Sequence, residues 1–119
     1  MNALTEPQFA NFIWNQRQRV GILREDNNIQ LAGLQDEERN WVVARDFFSQ
    51  KGDRARVEVI ERELDSVRNS QSERKADDIR LQQLGSMIDE LVSLPEVSPH
   101  IKRIADAQEA IARDWRLLK

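Results

Sequence analysis

Trp41-Val42-Val43-Ala44-Arg45-Asp46-Phe47-Phe48-Ser49-Gln50-Lys51-Gly52-Asp53-Arg54-Ala55-Arg56-Val57-Glu58-Val59-Ile60 is the stretch that decides the fold. Two apolar clusters flank the polar break Gln50-Lys51-Gly52-Asp53. Glycine suits the left-handed position just past a helix end, and Asp53 suits the cap of the next helix. The stretch therefore predicts a helix, a tight reversal and a helix running back.

Working outward, both arms continue the pattern. Upstream, Phe9, Ile13, Val20 and Leu23 fall on one stripe. Thr5-Glu6-Pro7-Gln8 supplies a capping residue, an early proline and the partner of a capping box. Asp26-Asn27-Asn28 prefer caps and turns, so the first helix, about 6–50, is expected either to run on, straight or kinked, or to break near 25–28. Downstream, a second helix is expected from Asp53 to Leu94. Val57, Ile60, Leu64 and Val67 form one a/d-like stripe, and Leu81, Leu84, Ile88 and Leu91 form another. The polar segment 68–78 reads as a solvated stretch braced by Arg74 and Asp78, or as a break capped by Ser70 and Glu73. Leu94-Pro95 ends the element, and Ser98-Pro99 starts a third helix, about 99–118, with Ile101, Ile104, Ala105, Ile111, Ala112, Trp115 and Leu118 on its stripe.

A reversal centred on Gly52 sets Phe47 opposite Val57, Ala44 opposite Ile60 and Trp41 near Leu64. Farther away it sets Leu23 opposite Leu81, Val20 opposite Leu84 and Ile13 opposite Leu91. Two separate stripes thus come into register from one turn. The expected fold is all-α: a long antiparallel, coiled-coil-like helical hairpin with a third C-terminal helix packed on its base, forming one domain over residues 1–119. The third helix should pair Ile111 with Leu81, and its Trp115 and Leu117 should shield Ile29.

Composition agrees. The chain has 119 residues, 33% of them charged, with mean hydropathy −0.68. A wide core is out of reach, but narrow helical stripes are not. The net charge of −3 gives no bulk attraction to nucleic acid. No cysteine is present, so disulfides and thiolate metal sites are excluded. The N-terminus lacks a signal-peptide pattern, and no apolar run reaches the roughly 20 residues that span a bilayer. A cytoplasmic protein with no membrane association is expected.

Little in the chain points to catalysis. His100 is the sole histidine, and the bend at Pro99 separates it from Glu96. The acid pairs Glu37-Glu38, Asp77-Asp78 and Asp89-Glu90 are sequence neighbours, which on a helix point about 100° apart. Neither a glycine-rich phosphate loop nor a paired Glu-x-x-His motif occurs. The expectation is no enzyme, no cofactor and no metal.

The function expected instead is protein–protein interaction, as a helical adaptor, chaperone-like factor or inhibitor. Another protein would be its partner, and a homodimer its state, because a slender hairpin buries little alone. Candidate partner-binding residues are Ile29, Leu31 and Leu34, which face a polar segment, and Phe47 and Phe48, which cannot both face one seam. The alternative is a nucleic-acid-associated accessory protein that contacts phosphates or an acidic partner through Arg17, Arg19 and Arg24. The expected architecture resembles that of small export-apparatus stalk proteins and secretion chaperones, which are also helical hairpins, though no motif of theirs covers any part of this chain.

Overall fold

A computed structural model describes residues 5–117, with the side chains of 5–116. Residues 1–4, Leu118 and Lys119, and with them the ends of the expected domain and stripe, lie outside the described residues. Three helices follow in order: α1 (Glu6–Gln50), α2 (Arg54–Val92) and α3 (Ser98–Leu117). The first two form an antiparallel hairpin, α3 packs against α1, and no strand occurs among the described residues.

The reversal at Gly52 has the expected chemistry. Gly52 holds φ at 70°, a conformation that costs a Cβ-bearing residue about 1–2 kcal/mol. Its N–H donates to the Ser49 carbonyl at 3.1 Å, and the Asp53 N–H donates to the Phe48 carbonyl at 3.0 Å. That pair of bonds closes the last turn of α1 as a Schellman motif. Asp53 also starts α2: its Oδ1 accepts from the Arg56 N–H at 3.2 Å. At the other end of α1, Thr5 N–H donates to Gln8 Oε1 at 3.0 Å and Gln8 N–H to Thr5 Oγ1 at 3.3 Å, completing the capping box. The third start differs by one residue from expectation. His100 and Ile101 both donate to the Val97 carbonyl, so Val97 is the cap and Ser98 the first helical residue.

No break occurs at 25–28 or at 69–73; both lie inside helices. The reason is the seam. On α1 the inward positions run Ala10, Ile13, Arg17, Val20, Arg24, Asn27, Leu31, Leu34, Glu38, Trp41, Arg45 and Phe48, at alternating steps of three and four. All but Arg17 are buried or half-buried. Along α2 the same spacing runs Val57, Ile60, Leu64, Val67, Gln71, Arg74, Asp78, Leu81, Gly85, Ile88 and Val92, every one buried or half-buried. The heptad therefore never lapses; its middle positions are polar.

The chain divides into two compact units. One spans Leu23–Leu81 and contains the reversal. Its apolar core is the α2 stripe Ile60, Leu64 and Val67, with Leu64 1% exposed. The other comprises the chain through Ile22 together with the chain from Gln82. There Ile13, Val20 and Ile88 form one buried cluster and Ala10, Val97 and Ile101 another, with Phe9 and Val92 against both. The seam position facing Val20 is Gly85, where an added Cβ would stand 3.8 Å from Val20 Cγ1, while Leu84 is displaced toward solvent at 38% exposure.

Only the start of α3 is packed. Ile101 is buried and Ile104 half-buried, yet every residue from Asp106 to Arg116 is exposed. The expectation of a covering third helix is corrected residue by residue: Ile111, Trp115 and Ile29 stand 58%, 65% and 64% exposed. Apolar spacing identifies the sticky face of a helix, not whether a partner lies over it.

Candidate interaction surfaces

Within the unit Leu23–Leu81, polar side chains reach from one helix to the other across the middle of the seam. Asn27 is 5% exposed, and its Nδ2 donates to the Arg74 carbonyl at 2.7 Å. Gln71, 7% exposed, donates through Nε2 to the Leu34 carbonyl at 3.3 Å. The Arg74 guanidinium donates to Gln30 Oε1 at 3.2 Å and pairs with Asp77 at 3.1 Å, not with Asp78 as the i,i+4 spacing suggested. Asp78 lies 3.8 Å from Arg24 across the seam. Finally, Arg68 Nε donates to Glu38 Oε2 at 2.7 Å. That hydrogen bond, a further one to Gln71 and the nearby positive charges of Arg68 and Lys75 hold the Glu38 carboxyl below its ordinary pKa of 4.5, against a smaller opposing effect of desolvation. The segment 68–78 is thus a set of cross-helix contacts and not a solvated gap.

An open groove of about 320 Å³ flanks these contacts, lined in part by Asn27, Gln30, Arg74, Asp77 and Arg80. Its charges are of both signs and mostly matched to each other. Asn27 Oδ1 is buried without a hydrogen-bond partner, but it is closed off from the groove by its own burial.

The candidate residues separate by face. Leu31, Leu34 and Phe48 are half-buried members of the seam, whereas Ile29 and Phe47 point outward at 64% and 51% exposure. Ile29 and Phe47 lie eighteen residues apart, five full turns, and so on the same side of α1. Val43, one turn before Phe47 and 68% exposed, belongs to this side as well. Its signal was present in the sequence: Val42 and Val43 are adjacent like Phe47 and Phe48, and only one of each pair can face the seam. The Phe47 ring is held edge-on to Phe48 with centroids 5.1 Å apart, and Lys51 Nζ sits 4.4 Å over it. Phe48 is covered by the Arg56 guanidinium at 5.2 Å.

Arg17, Arg19 and Arg24 do not share a face. Arg17 lies 4.0 Å from Asp89, and Arg24, half-buried, lies near Asp78. Arg19 is exposed on another side of the helix. His100, half-buried, has Nε2 3.8 Å from Glu6 Oε2, with Glu96 playing no part. Among the described residues, no three His, Asp or Glu side chains converge as metal ligands, and no helix is long and apolar enough to cross a membrane.

No protein-family model, curated protein or solved structure matches this chain.

Proposed function

We propose that this chain is a non-enzymatic protein–protein interaction module, a helical adaptor, chaperone-like factor or inhibitor that works as a homodimer. The observation that carries the reading is the outward side of α1, where Val43 and Phe47 stay 68% and 51% exposed one turn apart. Large apolar side chains on one side of a rigid helix are what a partner's groove or flat subunit receives. Phe47 is also pre-positioned by Phe48 and Lys51, which lowers the entropy lost when it docks. The proposed partner is another protein. Arg17 and Arg24 lie on the seam side of α1 beside carboxylates and Arg19 lies on another side, so the three give a polyanion little to bind.

The test is affinity capture from the native cell with the wild-type chain and with a Val43→Asp/Phe47→Asp variant, in parallel with circular dichroism. A partner that is retained by the wild type and lost from an equally helical variant supports the reading. Equal capture by both removes this side of α1 from consideration.

A further inference from the structure

We infer that the open half of α3 pairs with the same segment of a second copy of this chain, antiparallel about a twofold axis. The inference deepens the interaction-module reading, on which it rests, by assigning an occupant to a different face. Ile101, Ile104, Gln108, Ile111 and Trp115 recur at steps of three and four, a continuous heptad seam with one polar member. The chain itself uses only the beginning of that seam. Ile101 is buried and Ile104 half-buried, whereas Gln108, Ile111 and Trp115 are exposed.

The face is complementary to itself in one orientation. Place two copies antiparallel so that Ile104 of one lies level with Trp115 of the other. Trp115 then covers the free side of Ile104, and Ile111 comes level with Gln108 beside the small Ala107, each contact occurring twice by symmetry. The two Gln108 positions stand about 4.5 Å apart in level across the axis, so their amides can bond to each other. A single polar pair inside a short apolar seam fixes register. Ala105 and Ala112 on one flank and Ala107 on the other let the backbones approach.

Charge selects the same orientation. Arg103 and Asp114 lie on one flank, both exposed, and neither forms an ion pair among the described residues. In an antiparallel pair like flanks meet. Arg103 then comes within two residues of the level of Asp114 in the second copy, and Asp114 likewise meets Arg103. A parallel pair would hold these opposite charges eleven residues apart, about 16 Å along the axis, and would set Trp115 against Trp115. Only the antiparallel arrangement is complementary in both charge and shape.

The contact from Ile104 to Trp115 is about 17 Å long at ~1.5 Å per residue. A strip of that length and one helix width, about 10 Å, falls well short of the ~800 Å² per partner typical of stable complexes, so dissociation near roughly 10 micromolar is expected.

The experiment is sedimentation equilibrium of the full chain across concentrations spanning that range. The mass should rise from the 13.9 kDa of one chain toward twice that value. Arg103→Asp alone and Asp114→Arg alone should each weaken association by roughly tenfold, and the double reversal should restore it. Both sites are exposed, so helicity should be unchanged. Because the chain has no cysteine, introduced thiols report cleanly. An Ile104→Cys chain mixed with a Trp115→Cys chain should form a disulfide-linked pair, while the second Ile104–Trp115 contact of that pair stays intact. Neither variant should cross-link with itself, since like positions lie about 16 Å apart in level. A chain that stays monomeric at ~100 times the expected constant, a double reversal that does not restore association, or cross-linking of each variant with itself would overturn the inference. Val43→Asp/Phe47→Asp should leave the dimer intact, so failure of the outward α1 surface and failure of the α3 pairing are read separately.

Discussion

Replacing Asn27 with leucine should stabilise this protein. Asn27 sits in the seam at 5% exposure, giving one hydrogen bond to the Arg74 carbonyl at 2.7 Å and leaving Oδ1 buried without a partner. Deleting the amide removes one neutral hydrogen bond, worth about 1 kcal/mol net. The Arg74 carbonyl is not orphaned, because it lies inside α2 where the helix supplies a donor. Deletion also relieves the desolvation of Oδ1, about 1–3 kcal/mol. Leucine has nearly the same shape, and its methyl groups, half-covered by Leu23 and Leu81 around the neighbouring groove, add about 1 kcal/mol. The balance is a gain of about 2 kcal/mol, or roughly 8 °C in Tm for a chain of this size. Urea unfolding followed by far-ultraviolet circular dichroism measures it. A higher midpoint with unchanged slope is expected. A loss of more than ~1 kcal/mol would refute the reasoning, since it would require Oδ1 to hold a favourable contact that outweighs its burial. Asn27→Ala, which forfeits both the bond and the packing, should be destabilising and serves as the control.

Two glycines should respond with opposite signs. Gly52→Ala forces a Cβ into φ 70° and should cost about 1 kcal/mol by urea unfolding, while Gly33→Ala, inside α1 with open space at its Cβ, should gain about 0.5–1 kcal/mol. Acid should act through Glu38. Its folded pKa lies below 4.5, so its contribution to stability is complete above that value and is lost as pH falls through the folded pKa. The stability difference between wild type and Glu38→Gln should therefore shrink as pH falls below 4.5, and a difference that is flat with pH would remove Glu38 from the account.

The parts of the fold that rest on local chemistry are legible in the sequence. Gly52, Asp53 and the Thr5/Gln8 box carry their reasons in their own residue types, and the antiparallel register follows from the turn. What stays hidden is the middle of the seam. Asn27, Gln71, Arg74 and Asp78 occupy inward heptad positions, but a search for apolar residues records them as gaps. Carrying the frame forward from Val67 by four, three, four and three reaches Gln71, Arg74, Asp78 and Leu81 in turn, which shows that the signal is one of spacing and not of hydropathy. Likewise, the exposed side of α1 is half visible. Phe47 and Phe48 stand out as rivals for one seam; Val42 and Val43 pose the same problem but pass for a single cluster. For α3, its start and its packing at the base are legible, but how far the hairpin covers it is not, because a stripe of isoleucines states only that something should cover it.

A heptad repeat read alone has no origin: shift one helix by seven residues and every apolar knob still finds a hole. The reversal at Gly52 marks one zero point, but its few hydrogen bonds act at a single end. The amide contacts at Asn27 and Gln71 supply a second mark, with Asn27 some 37 Å up the helix at ~1.5 Å per residue. Sliding α2 one way would bring Gln71 level with Trp41 and Asn27 level with Leu81, setting both amides against apolar side chains. Sliding it the other way would bring Asn27 level with Val67 and Gln71 level with Asn27, taking both amides from the Arg74 and Leu34 carbonyls they now bond. Either displacement breaks both amide contacts, so the pair of helices carries its own ruler.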